Sequence, residues 1–224
     1  ATRELPMPDY YERNFGLTDK VPQAGDLFID IGANEGAWAL HFASKYREVL
    51  AFEPDNRARA ALLYEILANE QAYHNVNLKA EAIWRESGKL ELKIFSGHIH
   101  TAAAEIGVTV NDDNIHRVLI TKIAADAVTL DAVMADWPAN AYPVVTIKID
   151  VEGGEYDVLL GARETLAERS PHLLIEVHSK DLKQKCLDYL HNFGYCCEII
   201  RHPDYKSDHK YYDEHMWLNC HKKA

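Results

Sequence analysis

"DLFIDIGANEG" (26–36) decides the fold. Its first seven residues form a short apolar run that ends on glycine, as a buried parallel strand does. Gly32 permits a sharp turn with close backbone approach, and Gly36 lets a helix start tightly against the sheet. In an open α/β sheet, ligands bind between a strand's carboxyl end and the next helix. The pattern repeats outward. A helix is predicted from about Gly36 to Tyr46, "EVLAFE" (48–53) is a second strand, and Asp55 can cap a helix reaching about Asn69. "VNLKAEAI" (76–83) is a third strand. Strands that alternate with helices predict an α/β fold, a parallel sheet covered by helices on both faces.

The alternation then breaks. "KLELKIF" (89–95) and "RVLITKI" (117–123) both read as strands, so residues 89–127 are predicted to be an inserted antiparallel hairpin and its loop. "TLDAVMADW" (129–137) reads as a short helix capped by Asp131, and "VVTIKID" (144–150) resumes the sheet. A helix is expected from about Glu155 to Arg169, a strand at "HLLIEVH" (172–178), and a helix over 180–193 that stops before Gly194. "YCCEIIRH" (195–202) and "HMWLNCH" (215–221) close the chain as a strand pair. Residues 1–24, with Tyr10, Tyr11 and Phe15 among prolines, read as an N-terminal arm or lid, and residues 25–224 as one domain.

The 224 residues suffice for one large core. The net charge of −11 opposes attraction to phosphate backbones and anionic lipid, so neither nucleic acid nor a membrane is an expected partner. Cys186, Cys196, Cys197 and Cys220 have no C-x-x-C spacing and read as reduced thiols, consistent with a cytoplasmic protein. No apolar run approaches a membrane span.

The glycine loop discriminates between ligands. A dinucleotide fingerprint needs G-x-G-x-x-G, whose second glycine admits a pyrophosphate. Here that position is Asn34, which obstructs a diphosphate but can bond an amino acid's polar end. Asp30, read as facing the same crevice, favours a cation, and Glu53 at the end of the second strand can accept two ribose hydroxyls. Together these residues suit S-adenosylmethionine, which carries a sulfonium and an ammonium and no phosphate. The plainer reading is an α/β domain with an unused glycine turn.

Three blocks carry a resemblance: "FIDIGANEGAWAL" (28–40) with "AFEPDNRA" (51–58), "VTLDAVM" (128–134), and "TIKIDVEGGEYDVLLGARETL" (146–166) with "PHLLIEVH" (171–178). In order and spacing the chain resembles the FkbM-type S-adenosylmethionine-dependent methyltransferases over about residues 27–178. The resemblance implies a class I methyltransferase (Rossmann-like) fold with a mostly parallel seven-stranded sheet whose last strand is antiparallel. It also implies O-methylation of hydroxyls on sugars or secondary metabolites. By that likeness Asp30, Gly32, Asn34 and Glu53 fall in the cofactor site, with Glu81 and Ala82 beside the adenine.

A hydroxyl is a poor nucleophile while protonated, so a base or a metal is expected near the methyl group. Along an extended chain Lys148, Asp150 and Glu152 share a face, as do Glu176 and His178. In this fold the two strands are neighbours. Matched faces would put Lys148 beside Glu176 as a structural ion pair, and Asp150 beside His178 as a working pair. His178 would then be the base, and Asp150 would fix its tautomer while also bordering the cofactor. Glu152 and the loop residues His98, His100 and Thr101 are candidates for acceptor contacts. Glu155 reads as a helix opener. No metal ligand set is identified, because the histidine spacings fit no compact site.

The predicted activity is S-adenosylmethionine-dependent O-methylation of a small molecule, sugar or glycan. Its rivals are an NAD(P)-dependent Rossmann oxidoreductase, which Asn34 opposes, and a non-catalytic adenosyl-binding module. The latter would leave the Asp150–His178 edge occluded or unpaired.

Overall fold

The computed structural model describes residues 16–96, 104–105, 118–201, 203, 206–207 and 216–222. Its first repeat is β1 (Gly25–Ile31), α1 (Ala37–Phe42) and β2 (Tyr46–Phe52). Next come α2 (Asn56–Ala68), α3 (Glu70–Tyr73) and β3 (Val76–Lys79). β4 (Ala82–Ile83), β5 (Gly88–Ser96), β6 (Ala104–Glu105) and β7 (Val118–Val128) follow. The chain then forms α4 (Leu130–Met134), β8 (Val145–Ile149), α5 (Glu155–Leu160) and β9 (His172–Val177). It closes with α6 (Lys180–Asn192), β10 (Tyr195–Arg201) and β11 (Met216–Lys222).

The main sheet has seven strands in the order β10-β11-β9-β8-β1-β2-β3. β1, β2, β3, β8 and β9 pair in parallel, whereas β11 runs antiparallel to both β9 and β10. This is the class I methyltransferase arrangement. Alternation along the strands divides the core in two. Leu27, Ile29 and Ile31 of β1 join Ile147, Ile149, Ile175 and Val177 on one face. Phe28, Val49, Leu174 and Trp217 fill the other face with α1 and Leu62 of α2. Leu17 and Val21, on either side of a 3-10 turn at Thr18–Lys20, also bury there. The β1–β8 register sets Asp30 opposite Lys148 on this second face.

Several local expectations are corrected. The helix after Gly36 ends at Phe42, because Tyr46 already pairs with Gly25 as the first residue of β2. A Cβ at Gly36 would meet Leu62, so this glycine makes room for α2 rather than for the sheet. The third strand breaks after Lys79, and Ala82–Ile83 pairs instead with β7 in a four-stranded ribbon ordered β4-β7-β5-β6. β5 and β7 form the inserted antiparallel pair. Thr129, not Asp131, caps α4, accepting from the Ala132 N–H at 3.1 Å. Asp131 instead accepts from the Glu164 and Thr165 N–H groups and the Thr165 hydroxyl.

The helix expected over 155–169 is interrupted at Gly161, where a Cβ would strike the Trp84 carbonyl oxygen, and resumes as a π turn at Thr165–Arg169. Cys197 and Cys220 are directly opposed across β10 and β11, with Cα atoms 4.1 Å apart, and form a disulfide. Only Cys186 and Cys196 are free thiols, because pairing register, not spacing along the chain, brings the other two together. No helix among the described residues is long and apolar enough to cross a membrane.

Candidate functional site

The turn between β1 and α1 is built on backbone constraints. Gly32 adopts φ 75°, and a Cβ there would run into the carbonyl oxygen of Asp150. The Gly32 and Ala33 N–H groups both donate to Phe52 O at 3.0 Å. Asn34 sits at φ 50°, left-handed without glycine's freedom, a conformation Asn tolerates better than most residues. Its N–H donates to Glu53 Oε2 at 2.8 Å, while Glu53 Oε1 accepts from the Asp55 N–H at 2.7 Å. Glu53 is thereby fixed at the carboxyl end of β2. Burial pushes its carboxyl up to about 7, against those two N–H bonds.

Asp30 does not face the crevice. It has no exposed surface, and its carboxylate accepts from the Ala39 N–H at 3.0 Å and lies 3.1 Å from Lys148 Nζ. It therefore shapes the loop from beneath. Lys148 also donates to Gly32 O at 2.8 Å and stands 3.5 Å from Asp150 Oδ2. Burial would lower this ammonium, but Asp30 and Asp150 outweigh it and hold Lys148 charged.

The expected Lys148–Glu176 pair does not form as read. β8 and β9 are offset by two residues from that expectation, so Lys148 opposes Leu174. Glu176 is thereby carried up to the level of Asp150, where it joins His178. One ligand atom from each of Asp150, Glu176 and His178 lies within 4.8 Å of the others. The His178 Nε2 stands 3.8 Å from Asp150 Oδ1 and 3.6 Å from Glu152 Oε2. β8 ends at Ile149, and Glu152 lies in a turn at φ 54°, so it reaches His178 by a bend and not by continued extension.

Asp150 does not hold the imidazole at Nδ1. That contact belongs to Glu155, whose Oε1 is 2.9 Å away and also accepts from the Gly153 N–H at 2.9 Å. Glu155 does open α5, as read, but it is also fully buried. A buried acid at a helix start is the signal that sequence reading passed over. Burial would lower the His178 imidazole, yet Glu152, Glu155 and Glu176 together raise it well above its ordinary value. With no cation at this edge, the surrounding acids favour the protonated ring.

Ala82 is buried in β4 beside Leu92 and Ala125, and Glu81 is half-buried in the break after β3. His98, His100, Thr101, Tyr10, Tyr11 and Phe15 lie outside the described residues.

The fold has known counterparts. A structure described as methyltransferase FkbM from Methylobacillus flagellatus superposes with a TM-score of 0.61 at 17% identity, over 94% of this chain and 50% of that one. The chain therefore spans half the length of that protein. An rRNA methylase from Streptococcus thermophilus gives 0.52 at 10% identity with full coverage of both chains. A Streptococcus mutans protein solved in complex with SAH gives 0.51 at 10% identity, over 99% of each chain. No curated protein matches. The methyltransferase FkbM domain profile matches residues 30–197, a span that holds both the β1–α1 turn and the acid–imidazole edge. The chain belongs to the FkbM methyltransferase family.

Proposed function

We propose that this protein is an S-adenosylmethionine-dependent O-methyltransferase acting on a hydroxyl of a small molecule, sugar or glycan. The observation that carries the reading is the contact between two halves of one site. Gly32, in the turn suited to the methyl donor, packs on the backbone of Asp150, which belongs to the acid–imidazole cluster. The residues fit the donor's chemistry. Asn34 occupies the position that a dinucleotide needs as glycine, and Glu53 offers a fixed carboxylate to two vicinal hydroxyls.

S-adenosylmethionine supplies an electrophilic methyl group on a sulfonium, so positioning accounts for much of the rate. Gly32 and Asn34 border the donor's amino-acid end, Glu53 its ribose, and Glu81 and Ala82 its adenine. Asp30 and Lys148 set the loop's shape from below. Asp150 and His178 receive the acceptor hydroxyl. Its proton passes to a rim carboxylate, Asp150 or Glu152. Glu155 orients the ring.

The test is transfer of isotope-labelled methyl from S-adenosylmethionine into a panel of sugars, glycans and metabolite extracts. Labelled methyl ethers are expected, and His178→Ala should abolish them while S-adenosylhomocysteine still binds. Undiminished turnover in His178→Ala would remove His178 from the chemistry. Binding of NADH in place of S-adenosylhomocysteine would return the oxidoreductase reading.

A further inference from the structure

We propose that the carboxyl ends of β8 and β9 bind one divalent metal ion, ligated by Asp150, Glu176 and His178. This deepens the reading of the same edge as the place where the acceptor hydroxyl sits, and rests on it for the ion's role. Three ligand atoms, two carboxylate oxygens and one imidazole nitrogen, already converge within 4.8 Å. Metal–ligand bonds of about 2.0–2.2 Å bring such atoms to separations of roughly 3–4 Å, which small side-chain rotations achieve here.

Two further observations separate this cluster from an ordinary group of surface acids. The first is the imidazole's orientation. Histidines that ligate metals typically donate the other ring N–H to a carboxylate, which fixes tautomer and ring plane. His178 has that arrangement: Nδ1 faces Glu155 Oε1 at 2.9 Å, and Nε2 is turned toward Asp150 and Glu152. The second is Glu155 itself. Its side chain is fully buried, and Oε2 has no hydrogen-bond partner among the described residues. A carboxylate so placed needs positive charge across the ring. Lys148, a buried cation beside Asp150, is already engaged by Asp30, Gly32 O and Asp150.

Four acids, Asp150, Glu152, Glu155 and Glu176, thus surround one imidazole. A nitrogen with two carboxylates suits first-row divalent ions such as Mn²⁺ or Zn²⁺. Asp150, Glu176 and His178 all keep some exposure, which leaves coordination positions for water and for the acceptor oxygen. An ion there lowers the proton affinity of a bound hydroxyl. Glu152 then remains to take the proton.

The experiment is titration of the full chain with Mn²⁺ alone, followed by electron paramagnetic resonance. One ion per chain is expected, with nitrogen coupling from a single imidazole. Glu176→Gln should weaken binding at least tenfold. Glu155→Gln, which removes no ligand, should weaken it by roughly ten- to a hundredfold. Glu91→Gln, on the ribbon, should bind as wild type. S-adenosylhomocysteine binding checks that each variant is folded, and the wild-type titration decides the matter if a variant is not. The proposal is overturned if wild type binds neither Mn²⁺, Mg²⁺ nor Zn²⁺ at millimolar concentration, or if folded Glu176→Gln binds as well as wild type. Methyl transfer that persists in chelator would also overturn it, while leaving the methyltransferase reading intact. Stoichiometric Mn²⁺ with no S-adenosylhomocysteine binding would uphold the metal site and sink the methyltransferase reading.

Discussion

Glu155 and Glu53 show how one residue type takes different work from its surroundings. Glu155 is buried at the start of α5 and fixes one nitrogen of His178. Glu155→Gln keeps the shape but loses the charge that holds the ring. A misplaced reacting group costs about 100-fold. We expect kcat for methyl transfer to fall by about that factor, with the donor's KM little changed, in steady-state assays. Glu53 is held by two N–H bonds yet buried enough to carry a carboxyl near 7. Because the folded value lies above the ordinary one, the unfolded chain releases this proton first. Stability is therefore lost as pH rises from about 4.5 to about 7, by up to roughly 3 kcal/mol. Glu53→Gln should remove that part of the slope, matching wild type below pH 4.5 and exceeding it at pH 8 without cofactor. Denaturant unfolding at the two pH values measures it.

At the scale of elements, glycines mark where the chain must touch itself. Gly32 meets Asp150, and Gly161 meets the Trp84 carbonyl. Gly32→Ala adds a clash with backbone to a left-handed φ, so it should cost several kcal/mol and abolish cofactor binding, read by calorimetry. Gly161→Ala should cost about 1–3 kcal/mol in thermal unfolding. Most strand segments, the acid after β2 and the "KIDVEG" edge were legible in the sequence, because buried parallel strands and glycine turns leave local signals, whereas the sheet's make-up came from the family resemblance. Register was not legible. A slide of two residues between β8 and β9 preserves every side chain's face, so alternation predicts it no better than the alternative. That slide takes Glu176 out of register with Lys148, while the separate β1–β8 register sets Lys148 against Asp30. The Cys197–Cys220 pairing was hidden for the same reason, and the break at Gly161 because its cause lies 77 residues away at Trp84.

For the molecule as a whole, the charge of −11 bears on the acceptor. A structural likeness to an rRNA methylase extends to the fold, while a strongly acidic chain repels a phosphate backbone at low salt. Fluorescence anisotropy with ribosomal RNA fragments should show no salt-dependent binding. A steep negative slope of affinity against salt would instead place a local basic surface near the site. One further connection spans the molecule. α5 is six residues long. Its first residue steadies His178, Asp157 in its middle pairs with Arg85, and Gly161 at its end presses on Trp84. Trp84 and Arg85 directly follow β4, at the root of the inserted ribbon. The short helix thus joins the root of the ribbon to the imidazole, so its six residues fix the ring's setting from both ends.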